Sequence, residues 1–211
     1  MYELFLSAFA SFFVVIDPLG CAPIYAGLSA GASRKQAVTM AAKASIISAI
    51  ILLIFTAFGK QLLAALHIEL DAFRIAGGIM LFMIAIEMVF EKRTQRREER
   101  AEKIIAAHAE TPKVDDISVF PMAMPMIAGP GSIATIMLLT SRAQGMEEVG
   151  AVVAAMLLVL VITFGALAAA GPLMRIMGDN VEAVITRLLG VLLSALAAQY
   201  VIDGIKSSLM G

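Results

Sequence analysis

Val14-Val15-Ile16-Asp17-Pro18-Leu19-Gly20-Cys21-Ala22-Pro23 interrupts an apolar run that extends from about residue 4 to residue 28. A run of that length is enough to cross roughly 30 Å of hydrocarbon as a helix. Proline has no N–H and clashes with the carbonyl four residues back. Pro18 and Pro23 therefore free the carbonyls of Val14 and Leu19, and Gly20 eases a turn that other residues resist. A carboxylate at this depth costs on the order of 2.5–3.5 kcal/mol. Unpaired main-chain groups in lipid cost several kcal/mol each and persist only where protein, water or a ligand satisfies them. The stretch thus reads as a broken spanning helix of a membrane protein.

The rest of the chain agrees. Of its 211 residues 60% are hydrophobic and 16% charged, against roughly 45–50% and 25% in soluble domains, and mean hydropathy is +0.91. Further spans are expected at about 37–58, closed by Gly59-Lys60, and at 70–90, 117–140, 148–170, closed by Gly171-Pro172, and 183–204. All six should be helices, because lipid leaves open sheet edges unsatisfied. The fourth is interrupted at Gly129-Pro130-Gly131. The N-terminus lacks the basic region of a cleavable signal. A net charge of −1 gives no reason to expect nucleic acid as a partner, and the single Cys21 allows no intramolecular disulfide.

Residues 91–116 form a charged connector with 14 of the 33 charged residues, seven basic and seven acidic. It reads as a solvated hinge between a first three-helix repeat at 1–90 and a second at 117–211, with a regulatory or lipid-binding element as the alternative. Arg34, Lys35, Lys43, the connector's basic residues, Arg175 and Arg187 share one side of the membrane. The positive-inside rule makes that side cytoplasmic and both termini external.

The halves align without a gap at an offset of 112 residues. Pro18 falls on Pro130, Ser29 on Ser141, Gly59 on Gly171, Gly78 on Gly190, Ala85 on Ala197, Val89 on Val201, Glu87 on Gln199 and Glu91 on Asp203. Halves with three spans each must face opposite ways, which makes this an inverted repeat, a recurring plan of secondary transporters. Duplication for packing alone is the plainer alternative.

Paired breaks at matching places point to a binding site. Asp17, Pro18, Gly20 and Pro23 form the first. Pro125, Gly129, Pro130, Gly131, Ser132 and Thr135 form the second, where Pro125 and Pro130 free the carbonyls of Pro121 and Met126. Half-helices starting at the breaks would hold a carboxylate; freed carbonyls would hold an ammonium group or a cation. A small zwitterionic solute meets both demands. Asp17 has three candidate roles: proton carrier, ammonium ligand, or cap of the following half-helix. Ser132 and Thr135 could donate to a carboxylate or bond their own helix. Glu87 suits snorkelling, and Arg74 suits an interfacial anchor. Small residues at Ala37-Ala41-Ser45-Ala49 and Gly190-Ser194-Ala198 suit close helix packing.

Enzymatic readings find little support. His67 and His108 fall in loops on opposite sides, leaving Ser132 without a base. No Walker, H-E-x-x-H or G-x-G-D motif is present, and nothing suggests a cofactor or metal. The energy source left open is an ion gradient, of H+ or Na+.

The stretches Asp17–Pro23 and Pro121-Met122-Ala123-Met124-Pro125-Met126-Ile127-Ala128-Gly129-Pro130-Gly131-Ser132 closely resemble the MarC family, and the resemblance covers essentially the whole chain. It implies an inverted repeat in the bacterial inner membrane and transport, in the export direction, of small neutral amino acids such as glycine, alanine or threonine. The expectation is an all-α secondary transporter in the lipid bilayer, with room for a homo-oligomer. An uncoupled channel and a non-transporting scaffold are the rivals.

Overall fold

The computed structural model describes residues 2–90 and 116–210, with the backbone alone over 174–183 and at 210. Every element among them is helical: α1 (Tyr2–Ile16), α2 (Pro18–Leu28), α3 (Arg34–Ala65), α4 (Leu70–Val89), the loosely wound α5 (Ser118–Ile127), α6 (Pro130–Arg142), α7 (Met146–Ala168) and α8 (Ala170–Met210). Five stretches are long and apolar enough to cross a membrane: Tyr2–Leu28, Arg34–Ala65, Leu70–Val89, Met146–Ala168 and Val184–Leu209. The pair α5–α6, bent by 51°, makes a sixth if counted as one span. The chain is thus a multi-pass membrane protein, with Ile46, Ile50, Ile54 and Phe58 on α3 and Leu188, Val191 and Leu192 on α8 facing outward. Apart from Asp116, the charged connector lies outside the described residues.

Two expected boundaries are corrected. α3 runs through Gly59 to Ala65. A glycine inside a helix costs only about 1 kcal/mol, and here its missing side chain admits Met137, whose Cε and Cγ would lie 3.0 Å from an added Cβ. Gly171-Pro172 does not close the fifth span. The chain turns at Ala169, and both residues open α8, where a proline gives up an N–H that has no helical partner anyway. α8 accordingly begins well before residue 183.

α1, α2, α3, α5, α6 and α7 share one core, built on Phe12, Tyr25, Leu52, Met122, Ile127 and Met156. α4 and α8 form a second cluster around Leu81, Met88, Leu193 and Tyr200, which Val14 and Val15 of α1 and Leu138 of α6 join to the first. The α4–α8 contact is close because glycines line it. A Cβ on Gly78 would stand 2.9 Å from the Ala197 carbonyl oxygen and 2.8 Å from Val201. A Cβ on Gly190 would stand 3.1 Å from the Ala85 carbonyl oxygen and 3.1 Å from Val89.

Candidate functional site

The first break is built on Asp17. Its N–H donates to Phe13 O at 3.0 Å, and its backbone then turns into the left-handed region at φ 58, which aspartate tolerates better than most residues. Its Oδ1 accepts the Gly20 N–H at 3.0 Å, closing the head of α2. Pro18 takes the first helical position, where a missing N–H costs nothing. Gly20 is required by that cap: an added Cβ would fall 2.2 Å from Asp17 Oδ2. The Cys21 thiol donates to Ile16 O at 3.4 Å. Asp17 is 2% exposed, so of its three candidate roles the capping geometry is present.

The second break is assembled differently. Phe120 and Met124 are extended (φ −130 and −131), as residues before proline tend to be. The intervening chain closes wide turns, with Met122 N–H donating to Ile117 O and Ala128 N–H to Ala123 O at 3.3 and 2.9 Å. Gly129 then begins α6 with no side-chain cap. A Cβ there would lie 2.1 Å from Pro125 O, so only glycine fits. Ser132 Oγ donates to Ile127 O at 2.6 Å, across the break, and Thr135 Oγ1 donates to Gly131 O at 2.8 Å. Thr135 thus bonds its own helix, whereas Ser132 bonds the end of α5 across the break, a partner that neither alternative open in the sequence described.

The two breaks meet. An added Cβ on Gly131 would lie 3.1 Å from Val15 Cγ1, 2.8 Å from Ile84 Cδ1 and 3.8 Å from Leu81 Cδ2. Asp17, Pro18, Gly20, Gly129, Gly131, Ser132 and Thr135 are buried, Pro23 and Pro125 half-buried, and Pro130 exposed. At Gly131 the binding site expected between the breaks is closed by packed side chains of α1 and α4.

Two polar clusters have no counterpart in the sequence reading. At the end of α6, Arg142 pairs with Asp203 of α8 at 2.5 Å and lies 4.9 Å from the ring centre of the buried Tyr200, while Gln199 Nε2 donates to Asp203 Oδ1 at 2.6 Å. The match of Glu91 with Asp203 hints at the position but not at the partner. At the opposite end, Lys43 of α3 pairs with Asp116 at 2.7 Å. Hydrogen bonds from Lys43 and then Ser118 hold the Asp116 carboxyl down at about 2. A cavity of about 300 Å3 opens there, lined by Lys35, Gln36, Thr39, Met40, Lys43 and Asp116. Arg74, expected as an anchor, pairs with Asp71 at 2.8 Å and is largely buried.

Comparison with known proteins gives a consistent result. Residues 2–209 match the family described as MarC family integral membrane protein. The UPF0056 membrane protein MJ1677 of Methanocaldococcus jannaschii is 35% identical over 208 residues, 99% of this chain and 98% of its own. YvbG of Bacillus subtilis is 32% identical, covering 98% of this chain and 96% of its own, and YhcE of Escherichia coli 29%, covering 100% and 95%. All three are named as UPF0056 membrane proteins only. No solved structure matches.

Proposed function

Because the chain belongs to the MarC family of integral membrane proteins, we propose that it is a secondary transporter of small neutral amino acids, working as an exporter driven by a gradient of H+ or Na+. What carries this reading is the contrast between the two half-helix heads. At the head of α2 a carboxylate of the protein itself, Asp17, caps the amides. At the matching head of α6 the residue 112 positions on is Gly129, and no side chain caps it. The Gly131 and Ser132 amides lie in a buried first turn, where a helix has donors without helical partners. A solute carboxylate would do there what Asp17 does at α2, favoured by the same amides and the same dipole. The ammonium end would face the carbonyls of Pro121 and Met126, which Pro125 and Pro130 leave without a helical donor.

The reading includes an inverted repeat. The reciprocal contacts of Gly78 on Ala197 and Val201, and of Gly190 on Ala85 and Val89, support it, since each pair is the other displaced by 112 residues. Reciprocity of this kind is what a two-fold relation produces. Asp17, Pro18, Gly20 and Pro23 shape one half of the site, and Pro125, Gly129, Pro130, Gly131, Ser132 and Thr135 the other. With the break residues closed over, admission of a solute requires the halves to part, as in rocking transporters. The charge distribution supports a plasma-membrane orientation with both termini periplasmic.

The test is uptake of labelled glycine or alanine by liposomes holding the purified protein. Uptake stimulated by unlabelled amino acid on the far side supports a transporter. Uptake without that stimulation means a channel. No flux of any amino acid, and no thermal shift on adding one, means a scaffold and overturns the reading.

A further inference from the structure

We propose that the cavity at the start of α3 binds the headgroup of an anionic phospholipid, with Lys35 and Lys43 on its phosphate and an acyl chain along Ile46, Ile50 and Ile54. Such a site requires only that the chain spans a membrane, and it stands or falls apart from the transport reading.

The cavity, of about 300 Å3, has the size at which ligand sites begin. Most of the polar groups that line it are already engaged. Gln36 Oε1 accepts from the N–H and the hydroxyl of Ser33, Thr39 Oγ1 donates to Lys35 O, and Asp116 accepts from Lys43 and Ser118. The Lys35 ammonium has no partner among the described residues, and Lys43 gives Asp116 one of its three N–H donors. The cavity therefore offers donors. Two lysines against one carboxylate leave one net positive charge, the complement of a single phosphodiester. One phosphate can serve both lysines. Their Cα atoms stand about 12 Å apart along the helix, and each side chain reaches about 6 Å, so each leans only part of the way toward a group lodged between them.

The surface beside the cavity identifies what the phosphate belongs to. At about 100° per residue, Lys35, Thr39, Lys43, Ile46, Ile50 and Ile54 fall within one sector of α3 roughly 100° wide, and all six are exposed. Along that sector the side chains are polar as far as Lys43 and apolar from Ile46 onward. Such a change marks the boundary between headgroups and hydrocarbon. Lys43 to Ile54 spans about 16 Å of helix, close to half of a hydrocarbon core about 30 Å thick. A free phosphate uses the lysines and leaves the isoleucine row unused, whereas a phospholipid engages both. A headgroup with its own ammonium sets a cation beside Lys35, so the cavity favours a lipid of net negative charge. The positive-inside rule places these lysines on the cytoplasmic side, where basic pockets of membrane proteins take anionic headgroups.

The experiment follows thermal unfolding of the delipidated full-length protein in a neutral detergent, titrated with short-chain phosphatidylglycerol or with phosphatidylcholine of the same chain length. Each shift is read against the same variant's lipid-free melting temperature, because Lys43→Gln also breaks the pair with Asp116. Phosphatidylglycerol should raise the melting temperature, and phosphatidylcholine should act about tenfold more weakly. Lys35→Gln and Lys43→Gln should each weaken the apparent affinity for phosphatidylglycerol about fivefold, as expected for one basic residue at a membrane surface. Lys60→Gln, near the other end of α3, should leave it within about twofold. Inorganic phosphate at matched ionic strength should not reproduce the shift. No shift with phosphatidylglycerol, equal shifts with the two lipids, or a phosphatidylglycerol response that survives Lys35→Gln combined with Lys43→Gln overturns the site. A full shift with inorganic phosphate overturns its assignment to a lipid.

Discussion

Gly78 lies against the carbonyl oxygen of Ala197, close enough that a single added carbon would stand 2.9 Å from it. The same contact recurs, 112 residues displaced, where Gly190 meets Ala85. Two glycines that make matching contacts, as the proposed inverted repeat requires, should respond alike to the same insult. Gly78→Val and Gly190→Val should each lower unfolding stability in detergent by about 1–3 kcal/mol through overpacking, with effects of similar size. A large effect at one position and none at the other would argue against equivalence of α4 and α8.

The cap at the first break predicts a graded series. Asp17→Asn keeps an acceptor for the Gly20 N–H and should retain stability and most transport, because asparagine caps about as well as aspartate. Asp17→Ala should cost about 0.5–2 kcal/mol. Thermal unfolding measures the first effect and glycine flux the second. Abolished flux in a stable Asp17→Asn protein would return Asp17 to the role of proton carrier.

Gly20→Ala should damage the same interaction from the other side, since its Cβ would displace the Asp17 carboxylate. Combined with Asp17→Ala, the two losses should fall well short of adding, because the second change finds the cap already gone. Full additivity in the double-mutant cycle would show that Gly20 matters for another reason.

Lys43 and Asp116 give a pH prediction. The Asp116 carboxyl is lowered from 3.8 to about 2 by its hydrogen bonds with Lys43 and Ser118. A group whose pKa is depressed by folding adds stability that is present above the unfolded value and lost as pH falls through the folded one. The difference in melting temperature between the wild type and Asp116→Asn should therefore hold at pH 5 and fade between about pH 4 and pH 2. It should be small and shrink with salt, since the pair is half-exposed.

What depends on local covalent chemistry is legible in the sequence. Proline removes an N–H and crowds the preceding turn, so Pro18, Pro125 and Pro130 mark both interruptions by their positions, although Pro23 sits inside α2 without ending it. Helix ends are harder, because a glycine is read alike whether it ends a helix or admits a neighbour. Gly59 does the second, under Met137, and Gly171-Pro172 starts a helix rather than closing one. The uses of hydroxyls are not legible at all. Ser45, Ser48 and Ser132 are alike in sequence, and only the fold decides which bonds its own helix, which bridges a break and which stays unpaired. The Arg142–Asp203 pair joins residues 61 apart in sequence, a relation that no local pattern carries.

The two breaks adjoin one another, and transport on the proposed mechanism requires them to separate. Val15 Cγ1 lies 3.1 Å from where a Cβ on Gly131 would stand, which places the two Cβ positions within about 4.6 Å, near the reach of a disulfide. Val15→Cys with Gly131→Cys, in a Cys21→Ala background, should therefore cross-link on oxidation. The cross-linked protein in liposomes should lose glycine counterflow and recover it on reduction. Failure to form the cross-link, or full counterflow while it is intact, would contradict the account.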